Sequence, residues 1–170
     1  DDPRYLAEMA EFYETSASTL ADRLDRGLEV ALLSEGDPFF YGSSMYLFDR
    51  LAQDYVHEVI PGVTGMSGCW AQARIPICHG DDVFCVLPGT LDEDTMIERL
   101  KSVDAAVIMK VGRNLEKIRR ALRAAGLLSR AMFVERGTMG DERIVPLARL
   151  EEDKASYFSL VLVPGRQRPR

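Results

Sequence analysis

Glycine, proline and a few polar residues follow two of the short apolar runs in the first half of this chain. The first loop is Ser34-Glu35-Gly36-Asp37-Pro38-Phe39-Phe40-Tyr41-Gly42-Ser43, and the second loop is Pro61-Gly62-Val63-Thr64-Gly65-Met66-Ser67. Gly36 can adopt a positive φ, so the backbone can turn sharply beside the carboxylate of Asp37. The chemistry that such loops offer is hydrogen bonding to a polar ligand by the carboxylate and by exposed backbone N–H groups.

Arginine marks two further loops in the second half of the chain. The third loop is Lys110-Val111-Gly112-Arg113-Asn114, and the fourth loop is Glu135-Arg136-Gly137-Thr138-Met139. A guanidinium group presents a planar fork of N–H donors, so Arg113 and Arg136 could each clamp a carboxylate. The alternative for each arginine is a surface ion pair. The alternative for the first two loops is an ordinary strand-to-helix connection or a tightly packed helix start.

Strands and helices must position these loops, and the apolar spacing predicts where they lie. In the first half, it predicts helices over 5–28, with a break near 16–18, and over 43–53, and it predicts strands over 29–34 and 56–60. Strands that are separated by a helix pair in parallel, so the sequence predicts a parallel sheet in this half. Loops at the carboxyl ends of such strands are where open α/β sheets bind ligands.

The same alternation continues after residues 75–82, where proline, glycine and charged residues together predict a linker. Strands are predicted over 83–88, 105–111 and 131–135, helices over 91–103 and 114–126, and extended segments near 143–147 and 157–163. Because no helix separates the last two segments, we expect a mixed sheet with a late antiparallel pair. The predicted fold class is therefore α/β with two lobes, residues 1–78 and 79–170.

Composition restricts the class of protein. The chain has 170 residues, of which 46% are hydrophobic and 28% charged, which is enough to bury a core. The formal net charge is −6 and the acidic residues are dispersed, so we expect no nucleic-acid partner. No apolar run reaches the roughly 20 residues that a bilayer requires, and the first residues show no signal pattern. We therefore expect a cytoplasmic protein that does not bind membranes.

The cysteines and histidines do not predict a metal site. Cys69, Cys78 and Cys85 are odd in number and lack a close C-x-x-C spacing, and the only histidines are His57 and His79. Buried reduced thiols are the interpretation that fits them.

The four loops, in this order, resemble those of the tetrapyrrole (corrin/porphyrin) methylase family. Three of the motifs resemble those of the branch that methylates precorrin-2 at C20 in cobalamin biosynthesis. They are Ser-Glu-Gly-Asp-Pro-Phe-Phe-Tyr-Gly-Ser, Val-Ile-Met-Lys-Val-Gly-Arg-Asn and Val-Glu-Arg-Gly-Thr-Met. The resemblance implies an S-adenosylmethionine-dependent methyltransferase of two α/β lobes, with the cofactor in the cleft between them. It also implies S-adenosylhomocysteine as a product, a tetrapyrrole substrate and a homodimer.

The resemblance also implies which residues bind ligands. The cofactor-binding positions carried over by motif are Glu35, Gly36, Asp37, Phe40, Thr64, Gly65, Val111, Gly137 and Thr138. Phe40 and Val111 would provide apolar walls for an adenosine. Arg113 and Arg136 are the candidates for binding substrate carboxylates.

One departure from the family limits these expectations. The family begins with a strand and a Gly-x-Gly-Pro-Gly-Asp loop, whereas this chain begins at Asp1 inside a helical pattern, so we expect a fragment of a longer gene product. No catalytic acid or base is therefore assigned. The alternatives are a methylase that acts on another ring carbon or on the cobalt-loaded substrate, and a fragment that binds tetrapyrrole or cofactor without turnover.

Overall fold

A computed structural model describes residues 3–165 of the chain. It divides into two compact units, an N-terminal unit that ends at Thr64 and a C-terminal unit that begins at Gly65. The lobe boundary that the sequence predicts between residues 78 and 79 stays a prediction.

The regular secondary structure in the described part of the N-terminal unit consists of two helices, α1 (Pro3–Leu24) and α2 (Ser44–Leu51). They pack through Tyr13 of α1 and Tyr46 of α2, whose ring centroids lie 4.7 Å apart. The predicted break in α1 near residues 16–18 is wrong, because the helix runs through it unbroken. Thr19, next to this stretch, donates its hydroxyl hydrogen to the carbonyl of Thr15 (2.9 Å), a bond that a helix accommodates.

The two apolar runs that were predicted as strands of this unit, 29–34 and 56–60, have no regular secondary structure. The structure therefore does not contain the predicted parallel sheet within residues 3–64. A strand forms only where a neighbour accepts and donates its backbone hydrogen bonds, and neither run has one in this unit. Leu33 and Val56 accordingly remain 92% and 104% exposed.

The C-terminal unit contains one five-stranded mixed sheet. The strands are β1 (Phe84–Pro88), β2 (Ala105–Met109), β3 (Met132–Glu135), β4 (Arg143–Pro146) and β5 (Ser159–Val163), in the spatial order β1-β2-β5-β3-β4. Only β1 and β2 pair in parallel, and all other neighbours are antiparallel. The prediction of a mixed sheet is confirmed. The late strands β4 and β5 pair with β3 from its two sides rather than with each other.

Three α-helices belong to the described part of this unit: α3 (Gly65–Gln72), α4 (Glu93–Lys101) and α5 (Leu115–Ala124). Asp92 caps α4 by accepting a hydrogen bond from the N–H of Thr95 (2.9 Å), and this bond lowers the pKa of the Asp92 carboxyl. The core lies between the sheet and α4 and α5, and it is centred on Met96, Ile118, Leu122 and Phe133, none of which is more than 2% exposed.

The sheet directions bring several chain segments to one edge. Because β1 and β2 are parallel and β5 runs antiparallel to both β2 and β3, the carboxyl ends of β1, β2 and β3 lie at the same edge. The amino end of β5 lies there too, since Ser159 is opposite Glu135. The third and fourth loops both leave the sheet at this edge.

Candidate functional site

The first loop is organised by the carboxylate of Asp37. Its Oδ1 accepts a hydrogen bond from the N–H of Phe39 (2.9 Å), and its Oδ2 accepts one from the N–H of Gly62 (3.1 Å) in the second loop. Gly36, at φ +80, makes the turn that leads into this arrangement. Asp37 therefore fastens the two loops to each other.

Gly62 allows the same two loops to approach each other closely. A Cβ at this position would overlap the carbonyl oxygen of Gly36 and lie 2.7 Å from its carbon. Any other residue type would force one of the loops to move, because its Cβ would clash with the backbone of Gly36. This steric requirement explains why a glycine follows Pro61 in the turn. The sequence predicted the turn at Pro61-Gly62. It did not predict the contact with Gly36, because that contact joins residues that are distant in the chain.

The other predicted residues of the first loop have different surroundings. Glu35 is exposed, and Phe40 is half-buried with its ring edge-on to that of Tyr41 (4.9 Å). Ser44 donates its hydroxyl hydrogen to the carbonyl of Pro38 (2.7 Å), which closes the loop onto the start of α2. Glu35 and Phe40 therefore lie on a loop whose backbone is held by hydrogen bonds to Asp37 and Ser44.

The third loop begins at the sheet edge where β2 ends. Val111 is fully buried and belongs to the core together with Leu115 and Ile118. The whole residue is 0% exposed, and its carbonyl accepts a hydrogen bond from the N–H of Asn114 (2.7 Å), so Val111 fixes the start of the third loop to the core. The neighbouring Gly112 is open, because a Cβ built there would meet nothing within 4 Å.

The fourth loop packs against α3 of the second loop. A Cβ on Gly137 would lie 2.6 Å from the Sγ of Cys69, and a Cβ on Gly68 would lie 3.1 Å from the Cγ2 of Thr138. The N–H of Thr138 donates to a carboxylate oxygen of Glu142 (3.0 Å). The helix that begins at the predicted cofactor residue Gly65 therefore packs against the predicted pair Gly137 and Thr138 within the C-terminal unit.

Cys69 is a packing residue of this contact rather than a nucleophile. Burial, reinforced by the negative charge of Glu142, raises the pKa of its thiol to about 11. The thiol is therefore protonated at neutral pH. Within residues 3–165, no group of three or more histidine, cysteine or acidic side chains is placed to hold a metal ion.

The two arginines that the sequence singled out have different partners. Arg136 forms an ion pair with Asp141 at 2.7 Å. This is the surface ion pair that the sequence left open as the alternative to carboxylate binding. Arg113 is exposed and forms no ion pair within the part of the chain that the structure describes. Of the two, Arg113 is the one whose guanidinium group is available to a carboxylate.

Left-handed backbone marks these loops independently of their side chains. Of the five non-glycine residues with positive φ among those the structure describes, four lie in the first, third or fourth loop: Tyr41, Lys110, Arg136 and Thr138. Such a conformation costs about 1–3 kcal/mol per residue and is concentrated at functional sites. Thr138, a β-branched residue at φ 72, is the least expected of the four.

Gly89 also lies at this edge of the sheet, and the sequence motifs did not predict it. It follows β1, and a Cβ on it would lie 2.9 Å from both the Cδ1 of Ile118 and the carbonyl oxygen of Lys110. Its N–H donates to the carbonyl of Met109 (2.6 Å). The Pro88-Gly89 pair was the signal in the sequence that could have identified it.

Comparison with known proteins identifies the family. The model of the family described as tetrapyrrole (corrin/porphyrin) methylases matches residues 2–152. The chain belongs to this family. As a tetrapyrrole methylase, it is 55% identical over 170 residues to the precorrin-2 C(20)-methyltransferase of Sinorhizobium sp, an alignment that covers 99% of this chain and 69% of that enzyme.

Two other tetrapyrrole methylases extend the comparison. The cobalt-precorrin-2 C(20)-methyltransferase of Salmonella typhimurium is 27% identical over 159 residues, which cover 92% of this chain and 67% of that enzyme. A crystal structure of the uroporphyrin-III C-methyl transferase of Thermus thermophilus, complexed with S-adenyl homocysteine, shares the fold. Its TM-score is 0.61 at 24% identity, with 88% of this chain and 72% of that chain covered. The family and fold that the four loops predicted are confirmed.

Proposed function

We propose that this chain transfers the methyl group of S-adenosylmethionine to C20 of precorrin-2, in cobalamin biosynthesis. The observation that carries the proposal is the 55% identity to the Sinorhizobium precorrin-2 enzyme over nearly the whole chain. The metal-free substrate is favoured over the cobalt-loaded one because identity to the Salmonella cobalt-precorrin-2 enzyme is only 27%.

The loops have the chemistry that S-adenosylmethionine requires. Gly65 and Gly112 leave the backbone open, since a Cβ on either would meet nothing within 4 Å. Glu35 is an exposed carboxylate that can accept hydrogen bonds from hydroxyl or ammonium groups. The residues proposed to contact the cofactor are Glu35, Gly36, Asp37, Phe40, Thr64, Gly65, Val111, Gly137 and Thr138.

The structure refines the proposed role of two of these residues. Asp37 already accepts two backbone hydrogen bonds, so its main contribution is to hold the first loop in shape beside the cofactor. Val111 is 0% exposed as a whole residue, so its main contribution is to pack the start of the third loop onto the core. Phe40 remains the candidate for an apolar wall.

Positioning is the catalytic contribution that these residues can make. A bound S-adenosylmethionine supplies a methyl group on a positively charged sulfur, which needs no protein nucleophile, in agreement with the protonated thiol of Cys69. The loops have to hold the reacting carbon in line with the methyl group and exclude water. Orientation of this kind can lower a barrier by roughly 7–11 kcal/mol. Strained, hydrogen-bonded loops are suited to it because they resist reorientation.

Arg113 and Arg136 are proposed to bind the carboxylates of the tetrapyrrole. Arg113 is exposed and not engaged in an ion pair within residues 3–165, whereas Arg136 would have to exchange its partner Asp141. Charge reversal by Arg113→Glu should therefore weaken substrate affinity more than Arg136→Glu. Unchanged affinity in both variants would contradict this role.

The test of the function is a single-turnover reaction with ¹³C-methyl-labelled S-adenosylmethionine and precorrin-2 under anaerobic conditions. NMR of the product should show the label at C20. A label at another carbon would identify a sibling methylase, and faster turnover of the cobalt-loaded substrate would overturn the metal-free assignment. Cofactor binding without any transfer would favour a non-catalytic binding protein.

We also infer that the protein is a homodimer, which the family resemblance implies, and that it works in the cytoplasm, which was expected from the sequence pattern. The structure contains no helix, among the residues it describes, that is long and apolar enough to span a membrane. Sedimentation equilibrium would test the dimer, and a single species at the mass of one chain would refute it.

A further inference from the structure

The segment 155–158, just before β5, is tied to both loops at the functional edge of the C-terminal unit. The N–H of Ala155 donates to the carbonyl of Gly112 (3.0 Å) in the third loop. The carbonyl of Phe158 accepts a hydrogen bond from the N–H of Arg136 (2.7 Å) in the fourth loop. The segment therefore connects the third loop, which contains Val111, to the fourth loop, which contains Gly137 and Thr138.

Side chains hold the same segment in place. The N–H of Ser156 donates to a carboxylate oxygen of Glu135 (3.4 Å), and the hydroxyl oxygens of Ser156 and Ser159 lie 3.1 Å apart. Ser159 is itself buried at the first position of β5. The backbone between these anchors carries two aromatic residues.

Those two aromatic side chains point away from the core. Tyr157 is 89% exposed and Phe158 is 55% exposed, and their rings pack edge to face with centroids 5.2 Å apart. Exposed aromatic surface on a fixed backbone keeps apolar area in contact with water and gains little from packing, so it is typical of a contact surface for a ligand. Its place beside the third and fourth loops puts that surface at the proposed active site.

We propose that Tyr157 and Phe158 form the surface against which the macrocycle of the tetrapyrrole substrate lies. This inference rests on the proposed function. A tetrapyrrole combines a broad apolar ring face with carboxylates on its perimeter, so it needs an aromatic surface with cationic groups nearby. Lys110 and Arg113 belong to the third loop, to which the segment is hydrogen-bonded, and they supply the positive charge.

The macrocycle fits this surface better than the adenine of the cofactor does. An adenine is usually enclosed between apolar walls, whereas Tyr157 projects almost entirely into solvent. Because the two rings are nearly perpendicular, a large flat ligand can stack on the face of one ring and contact the edge of the other at the same time. Tyr157 and Phe158 are therefore assigned to substrate affinity and not to cofactor affinity.

The test measures two affinities on the 170-residue chain and its double variant Tyr157→Ala/Phe158→Ala. The cofactor probe is S-adenosylhomocysteine, titrated by calorimetry, and the substrate probe is uroporphyrin III, an oxidised octacarboxylate tetrapyrrole, followed by its absorbance. Loss of ring stacking should weaken tetrapyrrole binding by roughly tenfold or more, whereas the S-adenosylhomocysteine affinity should change by less than about twofold. The ring-preserving variant Tyr157→Phe/Phe158→Tyr should bind both probes as the original chain does.

A matched control is Phe12→Ala, which removes an aromatic side chain of similar exposure (60%) from α1 and should leave both affinities unchanged. Unchanged tetrapyrrole affinity in the double alanine variant would overturn the inference. A parallel loss of S-adenosylhomocysteine binding would instead assign the pair to the cofactor, and conversion of a dimer to a monomer would assign it to a second copy of the chain. If the original chain binds neither probe, the proposed function fails, and the inference fails with it.

Discussion

The two units hold their loops in different ways. In the C-terminal unit, the third and fourth loops leave a five-stranded sheet whose core residues, such as Leu122 and Phe133, are almost completely buried. In the N-terminal unit, the first loop follows a run without regular structure, and Leu33 next to it is 92% exposed. In the N-terminal unit, the first loop is held in place by the carboxylate of Asp37 and by the close contact at Gly62. In the C-terminal unit, the sheet holds the loops in place.

This difference between the two units indicates in which unit a substitution can impair ligand binding without lowering the free energy of unfolding. The third and fourth loops are bonded to and packed on the sheet, so a change that weakens the core beneath them also weakens the loops. A loop fastened by a few hydrogen bonds can lose its shape while the rest of its unit stays folded. Substitutions in the two units should therefore differ in which measurement they affect.

The largest expected effect comes from a matched pair of leucines. Leu122→Ala in the C-terminal core should lower the free energy of unfolding by about 2–5 kcal/mol, because it removes a fully buried side chain and leaves a cavity. Leu33→Ala in the N-terminal unit should change it by no more than about 0.5 kcal/mol. Urea denaturation followed by circular dichroism measures both. Equal losses would contradict the contrast, because they would mean that Leu33 is covered in solution.

Gly62→Ala tests the contact between the first and second loops. The added Cβ overlaps the backbone of Gly36, so one loop has to move, at a cost of about 1–3 kcal/mol. We expect roughly tenfold or greater loss of S-adenosylhomocysteine affinity, with the circular dichroism of the sheet unchanged. The control is Gly140→Ala, where a Cβ would meet nothing within 4 Å. Equal affinities in the two variants would show that this contact does not shape the cofactor site.

Asp37 should have a smaller and more local effect. Asp37→Ala removes both hydrogen bonds that hold the first loop, each worth about 1–2 kcal/mol, whereas Asp37→Asn keeps an oxygen that can accept one of them. Amide hydrogen exchange should accelerate at Phe39 and Gly62 in the alanine variant and less in the asparagine variant. Exchange that stays slow at both amides would show that the carboxylate does not fasten the loops.

Much of this architecture is predictable from the chain, because short apolar runs bounded by glycine and proline determined all five strands of the C-terminal unit to within about two residues. The same pattern failed at 29–34 and 56–60, since apolar composition does not reveal whether a partner strand is present. Val111 was expected to line a ligand, but hydrophobicity alone cannot distinguish a wall from core. The contacts of residues 155–158 with Gly112 and Arg136 join positions distant in sequence, so no local signal predicts them.

The smallest expected effect concerns two cysteines. Iodoacetamide at pH 8 should modify the exposed Cys78 quickly and Cys69 only when the protein unfolds, which peptide mass spectrometry would show. Burial raises the pKa of Cys69 to about 11, so the folded protein favours the neutral thiol. Its contribution to stability is complete below the ordinary thiol pKa and is lost as the pH rises toward 11.

Cys69→Ser should accordingly flatten the alkaline part of the stability profile, because a serine does not ionise in this range. Rapid modification of Cys69 in the folded protein would contradict the packing described for α3 and the fourth loop.

Calorimetric titration of the 170-residue chain with S-adenosylhomocysteine tests the central claim most directly. If the four loops hold the cofactor of a methyltransferase, the chain should bind one equivalent with a dissociation constant in roughly the micromolar range. Gly62→Ala should bind more weakly and Gly140→Ala should bind equally well. If a chain that circular dichroism shows to be folded does not bind S-adenosylhomocysteine, the claim is contradicted. The chain would then share only its fold, and not its cofactor binding, with the methyltransferases.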